Sequence, residues 1–112
     1  MKKLEIIIRP DKIDELKDAL YDVGVKGMTV TGVMGSGNQK GSKTFYRGTE
    51  VNVSLLHKFK IEIILGDNLV DVVIDKVLST VKTGNIGDGK IFIYNVEDAI
   101  RIRTGEKGEK AI

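Results

Sequence analysis

The stretch that decides the fold is KIEIILGDNLVDVVIDKVLSTVKTGNIGDGKIFIYNV, residues 60–96. Its first part, Lys60 to Leu65, alternates in side-chain character and is rich in isoleucine, which predicts a strand. From Val70 to Val81 apolar residues recur three, four, seven, eight and eleven positions after the first, which predicts an amphipathic helix. A glycine-rich segment follows, and Ile91 to Val96 again has the composition of a strand. The stretch therefore predicts strand, helix and strand in succession.

The first third of the chain repeats this order. Lys2 to Arg9 is rich in β-branched residues and predicts a strand, which Pro10 ends because proline removes a ladder donor. Asp11 is the expected N-cap of a helix that Gly24 ends. Met28 to Met34 predicts the next strand. The apolar residues at helical spacing are Ile13, Leu16, Leu20 and Val23.

The complete order, β-α-β-loop-β-α-β, matches the α+β ferredoxin-like double βαβ sandwich, with two helices on one face of a four-stranded sheet. A short helical turn is expected near Glu97 to Ile100. The other face of the sheet is left uncovered, and its apolar residues are too many for a solvated surface, so we expect chains to associate through their sheets. The residues assigned to that face are Ile7, Ile61, Ile63, Ile91 and Ile93.

Composition excludes several classes of protein. The 112 residues carry 18 basic and 16 acidic side chains, a net charge of +2, and their number indicates one domain. No cysteine is present, which excludes disulfides and thiolate metal sites. No apolar run approaches the ~20 residues of a membrane span, and the first residues lack a signal-peptide pattern, so a cytoplasmic location is expected. With no tryptophan, three tyrosines and three phenylalanines, a base-stacking surface for nucleic acid is not expected.

A long segment, Gly35 to Ser54, fits neither the helical nor the strand period. Loops of this length in small domains are usually functional or disordered. From Ser36 to Lys60, five basic residues stand against Glu50, a net charge of +4, so the rest of the chain carries −2. The basic character is therefore concentrated here.

Within that segment, Gly37 to Gly41 forms a candidate site with Lys58. The Gln39 amide oxygen could bind a metal ion and Lys58 could pair with an anion, but a solvated hairpin explains the same residues. Tyr46 beside Arg47 fits a partner contact, a modification site or simple packing.

The segment from Thr83 to Lys90 is the strongest candidate for binding an anion. Glycine at 87 and 89 allows positive φ and lets backbone N–H groups approach an anion closely, and Lys90 adds a charge suited to phosphate. A hairpin connection explains the same Gly-Asp-Gly sequence, and the spacing is not that of a P-loop. Arg101 and Arg103, if extended, would form a fork for a polyphosphate, or else a solvated surface pair.

Catalytic signatures are lacking. His57 is the single histidine, and without cysteine it cannot build a zinc site except with distant carboxylates. No serine or aspartate stands at a spacing that suggests a triad. We interpret His57 as a solvated loop residue.

Taken together, these residues resemble the PII signal-transduction proteins of nitrogen control over the whole chain. The most specific stretch is TGNIGDGKIFIYNV, residues 83–96. Supporting matches are GMTV (27–30), QKG (39–41), YRG (46–48), KIEI (60–63) and IRIRTGE (100–106). The resemblance implies a homotrimer with ATP or ADP in three clefts between subunits. It also implies one domain over 1–112, with a T-loop at about 36–54, a B-loop at about 82–90 and a C-terminal loop at about 101–112.

The family pattern assigns roles by position. Gln39 would coordinate Mg²⁺ with the ATP phosphates, and that ion would chelate 2-oxoglutarate. Tyr46 and Arg47 on the T-loop would contact a partner protein. The implied nucleotide-binding residues are Thr29, Gly37, Asn38, Ile64, Gly87, Asp88, Gly89, Lys90, Arg101 and Arg103. The implied 2-oxoglutarate-binding residues are Gln39, Gly41, Lys58 and Gly87.

Two positions depart from many relatives of that family. Val51 stands where the uridylylated tyrosine falls, and a valine has no hydroxyl to accept a nucleotidyl group, so no modification is expected there. Asn38 stands where many members carry arginine, which should weaken the γ-phosphate contact or alter discrimination between ATP and ADP.

The resemblance implies a sensor and not an enzyme. MgATP would create the 2-oxoglutarate site, and the two ligands together would withdraw the T-loop shape that a partner requires. The expected partner is an ammonium transporter, which would bring the protein to the membrane only indirectly. The alternative partner is a metabolic or nitrogen-fixation enzyme. A distant alternative is a small acylphosphatase-like hydrolase using Arg9 or Arg103 with Asn38.

Overall fold

The computed structural model describes residues 1–36, 43–46, 49–52 and 55–112, with 43–46 and 49–52 described by their backbone pairing alone. Six strands and two helices lie in these ranges. The strands are β1 (Lys2–Ile8), β2 (Thr29–Gly35), β3 (Lys43–Tyr46), β4 (Thr49–Asn52), β5 (Leu56–Leu65) and β6 (Gly89–Asn95), and the helices are α1 (Ile13–Asp22) and α2 (Val70–Val81). Short 3₁₀ turns occupy Pro10–Lys12, Asp67–Leu69 and Gly108–Ala111.

Four of the strands form one antiparallel sheet in the order β2-β5-β1-β6. In its centre, Ile6 of β1 lies opposite Ile61 of β5 and Ile91 of β6. The first strand thus sits between two strands from the second half of the chain. This order confirms the predicted α+β ferredoxin-like arrangement.

The hydrophobic core lies between the sheet and the two helices. Leu16, Ala19 and Leu20 are the buried residues of α1, and Val73, Val77 and Val81 are those of α2. Both sets recur at helical spacing, so each helix presents one apolar face to the sheet. The buried side chains of the sheet are Leu4, Ile6, Ile8, Ile61, Ile63 and Leu65.

The segment predicted to lack regular structure contains a two-stranded sheet. Strands β3 and β4 pair antiparallel, with Lys43 opposite Asn52 and Tyr46 opposite Thr49. Both strands contain β-branched or aromatic residues, which favour extended backbone even where no apolar alternation marks a strand. Strand β5 also begins at Leu56, four residues before its predicted start, because its first residues pair with the end of β2.

Two local predictions were wrong. Asp11 does not cap a helix: it lies inside the 3₁₀ turn that precedes α1, and among the described residues no side chain caps α1. No helical turn occurs from Glu97 to Ile100. Instead, the Asp98 carboxylate accepts the backbone N–H groups of Ala99 and Gly108, which ties this segment to the C-terminal tail.

The prediction that apolar residues crowd the open face of the sheet was also wrong. Ile61 and Ile63 are buried beneath the helices, Ile91 packs against that core, and Ile93 shares its face because it lies opposite Leu4. Of the five isoleucines, Ile7 alone belongs to the open face. Strand alternation divides residues between two faces, but composition does not say which face receives which set.

The open face is mainly polar. Lys3 pairs with Glu62 at 3.2 Å, and Lys60 lies 3.9 Å from Glu5. The Tyr94 hydroxyl donates to Glu5 at 2.9 Å, and that hydrogen bond to a carboxylate raises the pKa of Tyr94. Association of chains through their sheets stays a prediction, but apolar residues on the open face no longer support it. Within the described ranges, no helix is long and apolar enough to cross a membrane.

Candidate functional site

The B-loop (residues 82–90) joins the end of α2 to the start of β6. Gly89 lies opposite Ile8, so the loop stands at the end of the sheet where β1 finishes. Three of its glycines, Gly84, Gly87 and Gly89, have φ of +87°, +101° and +108°. These backbone conformations disfavour other residues, and they turn successive peptide groups into a tight loop.

The side chain of Asp88 organises the loop from within. Its Oδ2 accepts the backbone N–H groups of Thr83 at 2.8 Å and Gly84 at 2.9 Å. The Thr83 hydroxyl donates to Oδ1. The hydrogen bond from the Thr83 hydroxyl, together with the two backbone amides and Arg9, holds the pKa of Asp88 well below its usual range. The carboxylate is therefore ionised in the folded chain and engaged inside the loop.

Arg9 ties the B-loop to the end of β1. Its Nε donates to Asp88 Oδ1 at 3.1 Å, and its Nη2 donates to the Ile86 carbonyl oxygen at 2.7 Å. Sequence reasoning considered Arg9 only for the hydrolase alternative and missed this role. The signal that could have found it is topological: in the ferredoxin-like order β1 neighbours β6, so the residue after β1 reaches the loop before β6.

Gly89 makes the closest approach between the B-loop and the sheet. A Cβ atom at this position would lie 2.7 Å from the Ile7 carbonyl carbon and closer still to its oxygen, far inside the van der Waals contact distance. Pairing of β1 with β6 at this point therefore requires glycine. Glycine at position 89 is therefore explained by close strand packing as well as by the expected approach of an anion.

Three lysines share the open face of the sheet beside the B-loop. The Lys58 ammonium donates to the Gly87 carbonyl oxygen at 2.9 Å. Partial burial and the neighbouring charge of Arg9 lower the pKa of Lys58, against the opposing effect of Asp88 and Asp11. Lys60 and Lys90 lie on either side of Ile7 in the strand register. This end of the sheet is therefore cationic and suits a ligand with several negative charges.

A second group of proposed site residues lies toward the other end of the sheet. Thr29 lies opposite Glu62, and Ile64 lies opposite Lys3. Arg101 and Arg103 follow β6, whose seven residues span about 20 Å from the B-loop. The tail that follows them packs against Gly66 through Glu109. One chain therefore does not bring these four residues to Gly87 and Lys90.

The two arginines do not form the extended fork predicted for them. Gly105 N–H donates to the Arg101 carbonyl oxygen at 2.7 Å, which closes a turn over the intervening residues. The Arg101 side chain is held by Glu106, at 3.0 Å from Nη1 to Oε1. Arg103 lies exposed on that turn.

A cavity of about 230 Å³ lies beside Ile64 at this end. Its lining combines the connection before β2, the end of β5 and the C-terminal tail. Gly27, Leu65, Glu109 and Ile112 contribute to it. It offers an apolar and polar surface of the kind that a planar heterocycle requires.

Several predicted site residues lie outside the described residues: Gly37, Asn38, Gln39, Gly41 and Arg47. For Tyr46 and Val51 the structure gives only a place in β3 and β4. His57 is exposed and lies on β5, not in a loop, with its ring 5.2 Å from that of Phe59. In the described ranges, no group of three or more histidines and carboxylates could hold a metal ion.

Replacing Asp88 by asparagine should make stability less sensitive to acid. Because the folded chain lowers the pKa of this carboxyl below the ordinary value of about 3.9, the unfolded chain binds the proton first. The stabilisation from Asp88 is thus present above about pH 4 and is lost as the pH falls further. Urea unfolding between about pH 5 and pH 3 should show a steeper loss for the native chain than for Asp88→Asn. Equal slopes would contradict this assignment.

Comparison with known proteins gives matches over almost the entire chain. The family model described as Nitrogen regulatory protein P-II matches residues 1–106. Relatives with the same description include those of Nostoc punctiforme, 56% identical, Haemophilus influenzae, 53% identical, and Azospirillum brasilense, 54% identical. Each alignment extends over 112 residues and covers 100% of this chain and 100% of the relative.

Proposed function

Since the chain belongs to the nitrogen regulatory protein P-II family, we propose that it is a cytoplasmic signal transducer, not an enzyme, that binds ATP or ADP together with 2-oxoglutarate. The observation that carries the proposal is the cationic end of the sheet, where Lys58 and Lys90 adjoin the glycine-rich B-loop. Its output would be a protein contact made by the T-loop (residues 36–54).

The B-loop has the donors that phosphates require. The backbone N–H groups of Gly87 and Gly89 would approach the phosphate oxygens, and Lys90 would supply a point charge. Beside the ion pair of Arg9 with Asp88, Lys58 and Lys90 add two further positive charges at this end of the sheet. These features suit a di- or triphosphate better than a neutral ligand.

The separation of the two groups of residues supports a cleft shared by two subunits. Thr29, Ile64, Arg101 and Arg103 lie away from the B-loop of their own chain. A neighbouring copy would bring its second group to the first group of this chain. Such a head-to-tail contact generates a ring, and three copies would close as the expected homotrimer.

The 2-oxoglutarate site would form on top of the nucleotide. Lys58 would pair with the distal carboxylate, with Gln39, Gly41 and Gly87 beside it. Magnesium takes oxygen ligands and is usually held by few protein groups together with substrate phosphates, so at this cationic end of the sheet the ion would bind only with the phosphates in place. When bound to the phosphates and the Gln39 amide oxygen, the ion would supply the positive charge that the keto-acid end of the effector needs.

The proposed target is an ammonium transporter, contacted through Tyr46 and Arg47. The net charge of +4 from Ser36 to Lys60 would speed encounter with an acidic or carbonyl-lined surface. A metabolic or nitrogen-fixation enzyme would be the alternative target. Capture of a transporter, reversed by MgATP with 2-oxoglutarate, would distinguish the two.

Isothermal titration of 2-oxoglutarate tests the ligand proposal. With saturating MgATP we expect clear binding, and without nucleotide we expect none, because the site is completed by the bound phosphates. By linkage, 2-oxoglutarate should raise the affinity for ATP by the same factor. MgADP in place of MgATP serves as the control and should give weak binding. Equal affinity with and without MgATP would overturn the proposal.

A further inference from the structure

We infer that the Asp88 side chain is a positioning residue of the B-loop and makes no contact with the nucleotide, while Arg9 and Lys58 fix the direction of the phosphate-binding amides. This inference rests on the proposed nucleotide binding. It differs from the role that the family resemblance implies for Asp88.

The acceptor capacity of the carboxylate is already used. Two carboxylate oxygens offer about four lone-pair sites. Oδ1 accepts the Thr83 hydroxyl and Arg9 Nε, and Oδ2 accepts the amides of Thr83 and Gly84. The four donors come from Arg9, the residue after β1, and from the start of the B-loop. No acceptor site of Asp88 is left for a ribose hydroxyl.

The carbonyl groups of the loop are held by the two cations. Arg9 Nη2 binds the Ile86 oxygen at 2.7 Å, and Lys58 Nζ binds the Gly87 oxygen at 2.9 Å. In a planar trans peptide the C=O and N–H of one unit point in opposite directions. The Gly87 N–H therefore points away from Arg9, and the Asp88 N–H points away from Lys58. The backbone, and not the side chain, of residue 88 is what this loop can present to a phosphate.

Thr83 completes the arrangement. Its hydroxyl donates to Asp88 and also accepts the Asn85 N–H at 3.2 Å. The first half of the B-loop thus folds around the Asp88 carboxylate, which already accepts the amides of Thr83 and Gly84. Phosphate binding is consequently assigned to the second half, from Gly87 to Lys90.

Nucleotide titrations of Asp88→Asn distinguish positioning from contact. A positioning residue predicts that affinities for ATP and ADP fall together, by about tenfold for one lost charge-assisted hydrogen bond. Their ratio, and the ratio of ATP to 2′-deoxyATP and to 3′-deoxyATP, should stay at the native values. If the carboxylate faced the phosphates, the variant would instead gain affinity for ATP more than for ADP. If it bound the ribose, the preference for ATP over one of the deoxynucleotides would disappear. Either of these results would overturn the inference.

Amide hydrogen exchange gives a second measurement that needs no nucleotide. In the native chain the Thr83 and Gly84 amides should exchange slowly, and in Asp88→Asn or Thr83→Val they should exchange at least several-fold faster. Thr83→Ser keeps the hydroxyl and should restore protection. Unprotected amides in the native chain would overturn the inference. Native nucleotide binding that fails altogether would reject the proposed function instead, and this exchange result would still decide the role of Asp88.

Discussion

Gly89→Ala is expected to destabilise the protein strongly and to remove nucleotide binding with it. The new methyl group would overlap the Ile7 carbonyl group, and the backbone φ of +108° is strained for any side chain. Overpacking and an unfavourable φ each cost about 1–3 kcal/mol, so the free energy of unfolding should fall by roughly 2–6 kcal/mol. Urea denaturation of Gly89→Ala measures this change, and titration with ATP measures the loss of the site.

Gly84→Ala is the matched control. This residue lies in the same loop with a φ of +87°, but apart from its chain neighbours no atom of the described residues lies within 4 Å of the added Cβ. The free energy of unfolding of Gly84→Ala should therefore fall by only about 1–2 kcal/mol, the cost of placing a side chain at this positive φ. If both variants lost the same stability, close packing against β1 would not be the reason for glycine at 89.

Lys58→Met is expected to reduce the affinity for 2-oxoglutarate more than the same change at any other described lysine. The Lys58 ammonium lies beside the B-loop, 2.9 Å from the Gly87 oxygen, on the cationic end of the sheet. A charge-assisted contact is worth about 1.5–3 kcal/mol, which corresponds to roughly a 10- to 150-fold loss in affinity. Titration of Lys58→Met with 2-oxoglutarate at saturating MgATP gives this number.

Lys17→Met separates a local contact from a general loss of charge. Lys17 is exposed on α1, so this variant has the same net charge as Lys58→Met without touching the site. It should bind 2-oxoglutarate as the native chain does. A similar loss in both variants would indicate long-range attraction and would count against a direct role for Lys58.

Helices and sheet order were predictable because their signals are local and periodic. The apolar spacing of α2 predicted the face that carries Val73, Val77 and Val81 into the core. Because each of the two helices connects two strands, only a few strand orders were possible for the sheet. The B-loop could also be selected as the strongest candidate for binding an anion, since its glycines and its lysine are close together in the sequence; that role stays a prediction.

What could not be predicted depends on contacts between distant residues. Arg9 and Asp88 are 79 positions apart, and nothing in either segment indicates that they pair. The face occupied by Ile61 and Ile63 depends on strand register, which alternation alone leaves open. The family resemblance assigned Asp88 to the ligand, and its hydrogen bonds with Thr83 and Gly84, although local, depend on how the loop folds.

If the proposed site is divided between the two ends of the sheet, each bound nucleotide would hold two neighbouring copies together. Ligand that binds only the joined form stabilises it by mass action, so dilution of the protein and depletion of nucleotide should act in the same direction. Mixed rings built from this chain and a related one would carry hybrid clefts. In each such cleft the phosphate-binding residues would come from one protein and the residues around the base from the other.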